Sequence, residues 1–181
     1  MQNNFLKNKK IILSAGASGI GLATVKLLLS QGAFVYTCDI DKKNINKLKK
    51  NSYFNKKLFI SECDASKEDE VKKFYKEISY KTKKIDGLIN NIGIAGPTSP
   101  LEKIKSDDWE KTIHVNVNSH FYFTKYAIPM IKKSNNGSII NISSTAGIDG
   151  FPNRSPYAAS KWALVGICLL YTSDAADEQQ R

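Results

Sequence analysis

The sequence predicts an α/β protein built on one doubly wound parallel sheet, with helices on both faces. Short apolar segments alternate with segments of helical spacing along the chain, which is the order expected of repeated strand–helix units. The apolar segments carry hydrophobic residues at consecutive positions, as strands buried on both faces do. Five such strands joined by right-handed crossovers make a single sheet. We find no internal repeat and no linker, so we predict one domain.

The first strand and the first helix flank a glycine-rich turn. The strand covers Lys10–Ser14 and is followed by Gly16-Ala-Ser-Gly-Ile-Gly21. Leu22–Gln31 then places apolar residues at helical spacing. We predict that this helix ends at Gly32, because glycine readily adopts the left-handed conformation that closes many helices.

The second and third strands both lead into acidic residues. Ala33–Cys38 is the second predicted strand and is closed by Asp39, after which a lysine-rich helix follows. Lys57–Glu62 is the third strand and leads into Asp64. The next helix is predicted to start at Ser66, since serine is a good N-cap and acidic residues follow it in the first turn.

The second half of the chain carries two more strands. We predict them over Ile85–Asn90 and Ser138–Ser143, with a long helix over Asp107–Lys132 between them. A last helix carries Tyr157 and Lys161. The predicted fold ends after the fifth strand and this helix.

Composition favours a cytoplasmic protein. No apolar run approaches the roughly 18–20 residues of a membrane span, and the N-terminal residues lack the features of a secretory signal. Three cysteines (Cys38, Cys63 and Cys168) are too few and too scattered for a disulfide framework or a metal site. They fit a reducing compartment. We therefore expect no membrane partner and no metal.

The chain is basic, with 27 Lys and Arg against 17 Asp and Glu and a formal net charge of +10. Such a balance can indicate nucleic-acid binding. Much of it lies in one stretch, Lys42 to Lys57, where aromatic residues do not alternate with lysines as they would on a base-stacking platform. A solvated lysine-rich helix explains this charge, and we expect no nucleic-acid partner.

The glycine turn predicts a dinucleotide site. Gly16, Gly19 and Gly21 would let the backbone approach a pyrophosphate at the N-terminus of the first helix. Asp39 ends the second strand, where a carboxylate can hold the ribose hydroxyls and repel a 2′-phosphate. Ser18 stands where a basic residue could bind that phosphate, so we favour NAD over NADP. Two residues could reverse this preference, Lys42 and Lys43. The alternative for Asp39 is a helix cap.

Three residues in the second half predict acid–base chemistry. Tyr157 and Lys161 are four apart and share a helix face. A nearby ammonium stabilises a phenolate, which suits a tyrosine to exchange a proton near neutral pH. Ser144 follows the fifth strand at the carboxyl edge of the sheet, where its hydroxyl could hold a substrate oxygen.

Taken together, these motifs resemble the short-chain dehydrogenase/reductase family over residues 9–167, and the resemblance implies its Rossmann fold. The segments that carry it are Ser14-Ala-Gly-Ala-Ser-Gly-Ile-Gly21, Asn90-Asn91-Ile92-Gly93, His114-Val-Asn116-Val117, Ile142-Ser-Ser144-Thr-Ala-Gly147 and Tyr157-Ala-Ala-Ser-Lys161.

The resemblance implies a role for each of these residues. Tyr157 would be the general acid/base, Lys161 would stabilise its phenolate and bind the nicotinamide ribose, and Ser144 would orient the substrate oxygen. Asn116 would hold a water that links Lys161 to solvent. The implied cofactor-binding residues are Gly16, Ser18, Gly19, Ile20, Gly21, Asp39, Asp64, Ala65, Asn91, Gly93, Tyr157 and Lys161.

The chain departs from the family pattern in two motifs. Ser14 replaces a threonine, and Ala15 replaces the first glycine with Gly16 one place later, so we expect a slightly altered turn. Ile92 replaces an alanine and is expected to add bulk beside the cofactor.

The resemblance also bears on residues outside these motifs. The family packs its subunits through the helices that carry the asparagine and the tyrosine, which makes Tyr122, Phe123 and Trp162 candidate contacts between subunits. We expect His114 and His120 to be structural.

After Ile167 the sequence no longer follows the family. It reads Cys168-Leu-Leu-Tyr-Thr-Ser-Asp-Ala-Ala-Asp-Glu178, which resembles a translated sequencing-library adapter. We expect residues 1–167 to form an incomplete dinucleotide-binding catalytic domain and residues 168–181 to be a non-native tail. Such a chain is expected to fold poorly, since its fifth strand would be an exposed edge.

We therefore expect an oxidoreductase that moves a hydride between NAD and a secondary alcohol or ketone, acting on the CH–OH group. The sequences of these motifs resemble those of 3-oxoacyl-carrier-protein reductases and of sugar or polyol dehydrogenases. The full-length protein is expected to form a homodimer or homotetramer. The alternative is an inactive NAD(P)-binding sensor or scaffold of the same fold.

Overall fold

Five parallel strands form one sheet. They are β1 (Lys10–Ser14), β2 (Phe34–Asp39), β3 (Leu58–Glu62), β4 (Gly87–Asn90) and β5 (Ser138–Asn141). Their order across the sheet is β3-β2-β1-β4-β5. The computed structural model describes residues 4–50 and 56–178, the stretch 170–178 as backbone alone. The predicted doubly wound parallel sheet is confirmed.

Helices cover both faces of the sheet. They are α1 (Gly19–Ser30), α2 (Lys42–Lys49), α3 (Glu68–Ser79), α4 (Ser106–Ile113), α5 (Ser119–Ile131) and α6 (Ser155–Glu178). A π-helical turn, His114–Asn118, joins α4 to α5. None of the helices in the described part of the chain is long and apolar enough to span a membrane.

Alternate residues of the central strand β1 point to opposite faces of the sheet, and both faces are buried. Ile12 belongs to a core cluster with Phe74 and Phe123 on one side, while Ile11 and Leu13 belong to a second cluster on the other. This explains the uninterrupted apolar pattern of the strand. Phe123 is completely buried, so its predicted role as a contact between subunits is wrong.

Several predicted element ends differ from the observed ones by one to three residues, and the single helix predicted over Asp107–Lys132 is divided by the π turn. Two differences bear on the motifs. α3 begins after Lys67, which is its N-cap, and Ser66 instead belongs to the preceding turn, where its hydroxyl donates to Asp64 Oδ1 at 2.7 Å. β5 ends at Asn141, so Ser144 lies in the loop beyond the strand and begins the 3₁₀ turn Thr145–Gly147.

The C-terminal segment continues as helix. The predicted tail begins at residue 168 inside α6, which runs without a break to Glu178. Residues 179–181 lie outside the described part of the chain. The assignment of 168–181 as a non-native tail stays a prediction.

Ala15 occupies a backbone conformation that usually belongs to glycine. Its φ is 55°, in the left-handed region, which costs a residue with a Cβ roughly 1–2 kcal/mol. Hydrogen bonds from Asn91 to both sides of this residue hold it there: the backbone N–H donates to Ser14 Oγ at 3.0 Å and Nδ2 donates to the Ala15 carbonyl at 3.2 Å. The expected alteration of the turn is therefore a strained alanine.

We predict that Ala15→Gly raises the melting temperature by about 2–4 °C, as expected for a gain near 1 kcal/mol in a chain of this size. Relief of the left-handed strain exceeds the roughly 0.4–1 kcal/mol that glycine's extra freedom gives the unfolded chain. Ala17→Gly is the matched control, since Ala17 has no positive φ and should lose stability. A lower melting temperature for Ala15→Gly would contradict the prediction.

Candidate active site

The carboxyl ends of β1, β4 and β5 meet at one edge of the sheet. From β1 the chain continues to β2 and β3 on one side of the sheet, and it then returns to β4 and β5 on the other side of β1. The strand order therefore reverses between β1 and β4. The loops after these two strands diverge, and the crevice between them is where open α/β sheets bind ligands. Every motif singled out in the sequence reaches this edge or borders it.

The three glycines of the turn have different roles. A Cβ on Gly16 would overlap the Thr37 side chain, and one on Gly21 would overlap the Ala15 carbonyl. These two glycines permit close packing inside the turn. Gly19, at a φ of 50°, would project a Cβ into open space, so its backbone is the part of the turn that a ligand can approach.

The N-terminus of α1 suits an anion. Ser18 is the N-cap and makes no side-chain cap bond, and no acidic residue lies in the first turn. The unpaired N–H groups and the positive end of the helix dipole therefore face the crevice. Ile20 lies beside them with 69% of its surface exposed.

Asp39 is buried and holds two backbone groups. Its Oδ2 accepts from the Ala17 N–H at 2.9 Å and its Oδ1 accepts from the Asp41 N–H at 3.1 Å. The helix cap is Asp41 instead, which accepts from the N–H groups of Lys43 and Asn44. Asp39 therefore ties the glycine turn to the end of β2 while its carboxylate lies next to the crevice.

A cavity of about 260 Å³ lies between the glycine turn and α2. Lys26 and Lys47 line it together with Ser18 and Asn44. Lys42, which the sequence singled out, instead pairs with Glu62 at 3.2 Å. Sequence reasoning missed Lys26 and Lys47, because only the packing of α1 against α2 brings them to the turn.

The carboxylate of Asp64 closes a turn of its own. Its Oδ1 accepts from the backbone N–H of Ser66 at 3.0 Å as well as from that residue's hydroxyl, and Lys67 Nζ lies 3.5 Å from Oδ2. Burial opposes ionisation, but these bonds and the lysine charge outweigh it and lower the pKa of Asp64. Ala65 follows as a half-buried residue.

Tyr157 and Lys161 share a face of α6. The Nζ of Lys161 lies 5.7 Å from the centroid of the Tyr157 ring and donates to the Ile142 carbonyl at 2.9 Å. Lys161 is 4% exposed, and this burial lowers its pKa. The loop that contains Ser144 is therefore joined directly to the lysine of α6.

The hydroxyl of Ser144 accepts a hydrogen bond from the Ala146 N–H at 3.2 Å. This contact uses a lone pair and leaves the hydroxyl hydrogen to point elsewhere. The neighbouring Ser143 donates to the Lys161 carbonyl at 3.0 Å. Ser144 is thus fixed beside α6 with a donor available.

Asn116 joins three segments of the site. It lies in the π turn and is completely buried. Its Oδ1 accepts from the Ile94 N–H at 2.8 Å, while Nδ2 donates to the Ile94 carbonyl and to Ser160 Oγ. Ser160, which sequence reasoning missed, donates in turn to the Tyr157 carbonyl at 2.7 Å. The amide thereby links the loop after β4 to the helix that carries the tyrosine.

The loop after β4 passes close to the lysine. A Cβ on Gly93 would lie 3.3 Å from Lys161 Nζ. Asn91 is half-buried beside it and is bonded to the β1 turn. Ile92 was expected beside the cofactor, but its side chain is buried in the core cluster that contains Phe123. That expectation is wrong because the loop turns this residue inward.

His120 is completely buried on α5. Its Nε2 lies 3.0 Å from the Ile92 carbonyl oxygen and its Nδ1 lies 3.3 Å from Asn141 Oδ1. Burial, with a smaller contribution from the charge of Lys161, lowers the pKa of His120 to about 4. The ring is therefore neutral at neutral pH.

We predict that His120 makes stability fall as pH drops from about 6.5 to 4. The unfolded chain binds this proton near pH 6.5 and the folded chain near 4, so the contribution is complete above 6.5 and is lost below it. The loss is at most about 3–4 kcal/mol, at 1.36 kcal/mol per pKa unit. Urea unfolding across this range measures it.

His120→Gln should flatten that dependence, because the buried titrating group is gone. His114→Gln is the matched control, since it removes the other histidine of the chain and should leave the dependence in place. Equal slopes for wild type and His120→Gln would show that other groups cause it.

The doubly wound parallel sheet thus carries a glycine turn at its switch point and a serine, a tyrosine and a buried lysine at the same edge. The chain belongs to the short-chain dehydrogenase family, whose model matches residues 9–179.

Two curated relatives illustrate the range of the family. A 3-oxoacyl-[acyl-carrier-protein] reductase, FabG, of Thermotoga maritima is 34% identical over 177 residues, which are 97% of this chain and 72% of that protein. A 3beta-hydroxysteroid dehydrogenase of Mediterraneibacter gnavus is 34% identical over 171 residues, 93% of this chain and 62% of that protein. The chain thus spans between about three fifths and three quarters of these relatives.

Solved structures share the fold. A short-chain dehydrogenase of Shigella flexneri, complexed with NADP, superposes with a TM-score of 0.89 at 22% identity over 96% of this chain and 74% of that one. A short-chain dehydrogenase of Pseudomonas syringae gives a TM-score of 0.83 at 27% identity, with 92% and 69% covered.

Proposed function

We propose that this chain is the catalytic part of an oxidoreductase that moves a hydride between NAD and the carbon of a secondary alcohol or ketone. One observation carries the proposal. Lys161 is buried one helical turn from Tyr157 and is bonded to the Ile142 carbonyl, two residues before Ser144. These contacts support our proposal that a proton-exchanging phenol, a cation and a hydroxyl donor act on one substrate position at the carboxyl edge of the sheet.

Ser144, Tyr157 and Lys161 have different roles at the substrate oxygen. Ser144 donates its hydroxyl hydrogen to that oxygen and fixes its position. In the direction of reduction Tyr157 gives its proton to the same oxygen, and in the direction of oxidation it takes that proton back. The Lys161 ammonium stabilises the phenolate that remains, an effect strengthened by its burial.

Asn116 supports the return of the proton to solvent. Its side-chain amide is already hydrogen-bonded to Ile94 and Ser160. We therefore propose that the backbone of the π turn at Asn116 binds the water between Lys161 and solvent. A π turn shifts backbone pairing and leaves a carbonyl for such a water.

The crevice fits a dinucleotide. The uncapped start of α1 and the open space over Gly19 would receive the pyrophosphate, and Asp39 would hold the adenine ribose. Asp64 and Ala65 would border the adenine, while Asn91, Gly93 and Lys161 would border the nicotinamide ribose. The cofactor supplies or accepts the hydride.

The preference for NAD rests on Asp39. A carboxylate at the end of β2 repels a 2′-phosphate by charge. Against it stand the cavity lined by Lys26 and Lys47 and the NADP complex of the Shigella flexneri protein. We propose NAD because Asp39 is held between two backbone N–H groups and stays at the ribose position.

The names of two relatives support the proposed substrate class. The reductase of Thermotoga maritima and the steroid dehydrogenase of Mediterraneibacter gnavus act at a carbon that alternates between alcohol and ketone, which is the chemistry that Tyr157 serves. We propose a cytoplasmic protein that forms homodimers or homotetramers when full length. Exposed aromatic residues on neighbouring helices support this assembly, namely Trp109, Phe121 and Trp162.

Tyr157→Phe is the test of the proposed chemistry. We predict that kcat falls by about 10²-fold or more, the usual contribution of a general acid–base group, while the KM for the cofactor changes little. The assay follows NADH with a panel of 3-oxoacyl thioesters, steroid ketones and cyclic diols. Tyr126→Phe is the matched control, since its hydroxyl bonds Glu68 away from the site.

Two outcomes would contradict the proposed function. Turnover that survives in Tyr157→Phe would remove the tyrosine from the chemistry. Tight cofactor binding by wild type without turnover of any substrate in the panel would favour the sensor or scaffold.

Asp39→Asn tests the cofactor preference. We predict that the ratio of kcat/KM for NADP to that for NAD rises about tenfold or more, since a like-charge pair near the surface is worth roughly 1–4 kcal/mol. Asp41→Asn is the matched control: it removes a charge two residues away while asparagine still caps α2. A wild-type protein that prefers NADP would overturn the role given to Asp39.

A further inference from the structure

We propose that His120 is a positioning residue that sets the spacing between the loop 91–94 and the end of β5. The inference rests on the proposed function in one respect, because that loop borders the nicotinamide end of the proposed cofactor site. None of the sequence motifs includes this histidine.

His120 links the end of β5 to the loop after β4, beyond the last residue pair of the β4–β5 ladder. The Ile92 carbonyl lies two residues beyond the end of β4, and Asn141 is the last residue of β5. The ring lies between them, with Nε2 3.0 Å from the carbonyl oxygen and Nδ1 3.3 Å from Asn141 Oδ1. Its planar shape fixes the separation of these two contacts.

The bridge belongs to a β4–β5 polar cluster, made of Asn90, His120, Thr124 and Asn141. Asn90 is paired with Asn141 in the sheet register, and its Nδ2 donates to Asn141 Oδ1 at 2.8 Å and to Thr124 Oγ1 at 3.0 Å. Thr124 is bonded to Asn90 at the end of β4, whereas His120 is bonded to the Ile92 carbonyl in the loop.

The two backbone segments held by this cluster continue directly to the lysine. Beyond Ile92 lies Gly93, where a Cβ would come within 3.3 Å of Lys161 Nζ. Beyond Asn141 lies Ile142, whose carbonyl accepts from Lys161. A change in the spacing set by His120 would therefore shift the loop relative to the ammonium and to Ser144.

The tautomer of the ring follows from its partners. A neutral imidazole has one N–H, and a backbone carbonyl can only accept. Nε2 therefore carries the hydrogen and donates to Ile92, which leaves the Nδ1 lone pair toward Asn141. Turning the Asn141 and Asn90 amides together presents an Asn141 N–H to that lone pair, because the oxygen and nitrogen ends of an amide have nearly the same shape. The Asn90 oxygen then accepts the other Asn141 N–H and the Thr124 hydroxyl hydrogen, so the cluster contacts are kept.

His120→Leu tests the positioning role, with Thr124→Val as the matched control. The leucine removes both contacts, and the valine removes one member of the cluster without touching the loop. We expect His120→Leu to weaken NADH binding about tenfold and to speed hydrogen exchange of the 92–94 amides about tenfold, the size of one lost buried hydrogen bond. Thr124→Val should lower the melting temperature but leave NADH binding and hydrogen exchange at 92–94 unchanged.

His120→Gln supplies the rescue. Its amide can donate to the Ile92 carbonyl, so NADH affinity and exchange at 92–94 should return to within about threefold of wild type, as one retained donor implies. Equal effects of His120→Leu and Thr124→Val, or no effect of His120→Leu on the loop, would overturn the proposal.

Two measurements keep the outcome independent of the proposed function and of variant folding. Hydrogen exchange needs neither cofactor nor turnover, so a chain that fails every activity assay still reports on the loop. Nitrogen NMR of the wild-type ring reads the tautomer directly. A hydrogen on Nδ1 instead of Nε2 would overturn the proposal even if His120→Leu does not fold.

Discussion

The site depends on the hydrogen bonds by which Asn91 joins the loop after β4 to the turn after β1. These two strands are neighbours in the sheet, but their loops diverge at the point where the strand order reverses. The backbone N–H and the side-chain amide of Asn91 reach Ser14 and the Ala15 carbonyl. These bonds connect the glycine turn directly to the loop that passes beside Lys161.

Lys161 and His120 show how one environment can hold two bases. Both are buried, and a second positive charge near Lys161 would be repelled in a medium of low dielectric constant. The histidine is neutral because burial and that charge both lower its pKa. The lysine reaches the crevice, where the Ile142 carbonyl and the Tyr157 ring compensate for lost water.

Much of the fold could be predicted because its signals are local. The run from Lys10 to Ser14 is apolar at successive positions, and Gly32 ends α1 at a φ of 87°. The contacts of Asp39 with Ala17 and of His120 with Ile92 could not be predicted, since the partners lie 22 and 28 positions apart in the sequence. The prediction of Ser66 as the N-cap was wrong because its hydroxyl bonds Asp64 in the preceding turn and accepts from no N–H of α3.

The candidate site was predictable to the extent that it lies in short motifs. Ser144, Tyr157 and Lys161 were identified by type and spacing, and the sheet brings their segments to one edge. Ser160 lies inside the same motif, yet its bond to Asn116 depends on the π turn at 114–118. The sequence of that segment does not predict a π turn. Lys26 and Lys47 meet at a cavity only after α1 and α2 have packed.

The π turn gives this enzyme a way to change its site without changing its scaffold. Wider pairing in a π turn accommodates an extra residue inside an otherwise regular helix. A chain one residue shorter between 114 and 118 could run as unbroken α-helix, with Thr112 and Phe123 still facing inward on either side. The position of the Asn116 side chain would change, and with it the bonds to Ile94 and Ser160. In evolutionary terms, a single-codon insertion or deletion here would act on Asn116 and on the link it makes between the loop after β4 and α6, while the core on either side of the turn keeps its register.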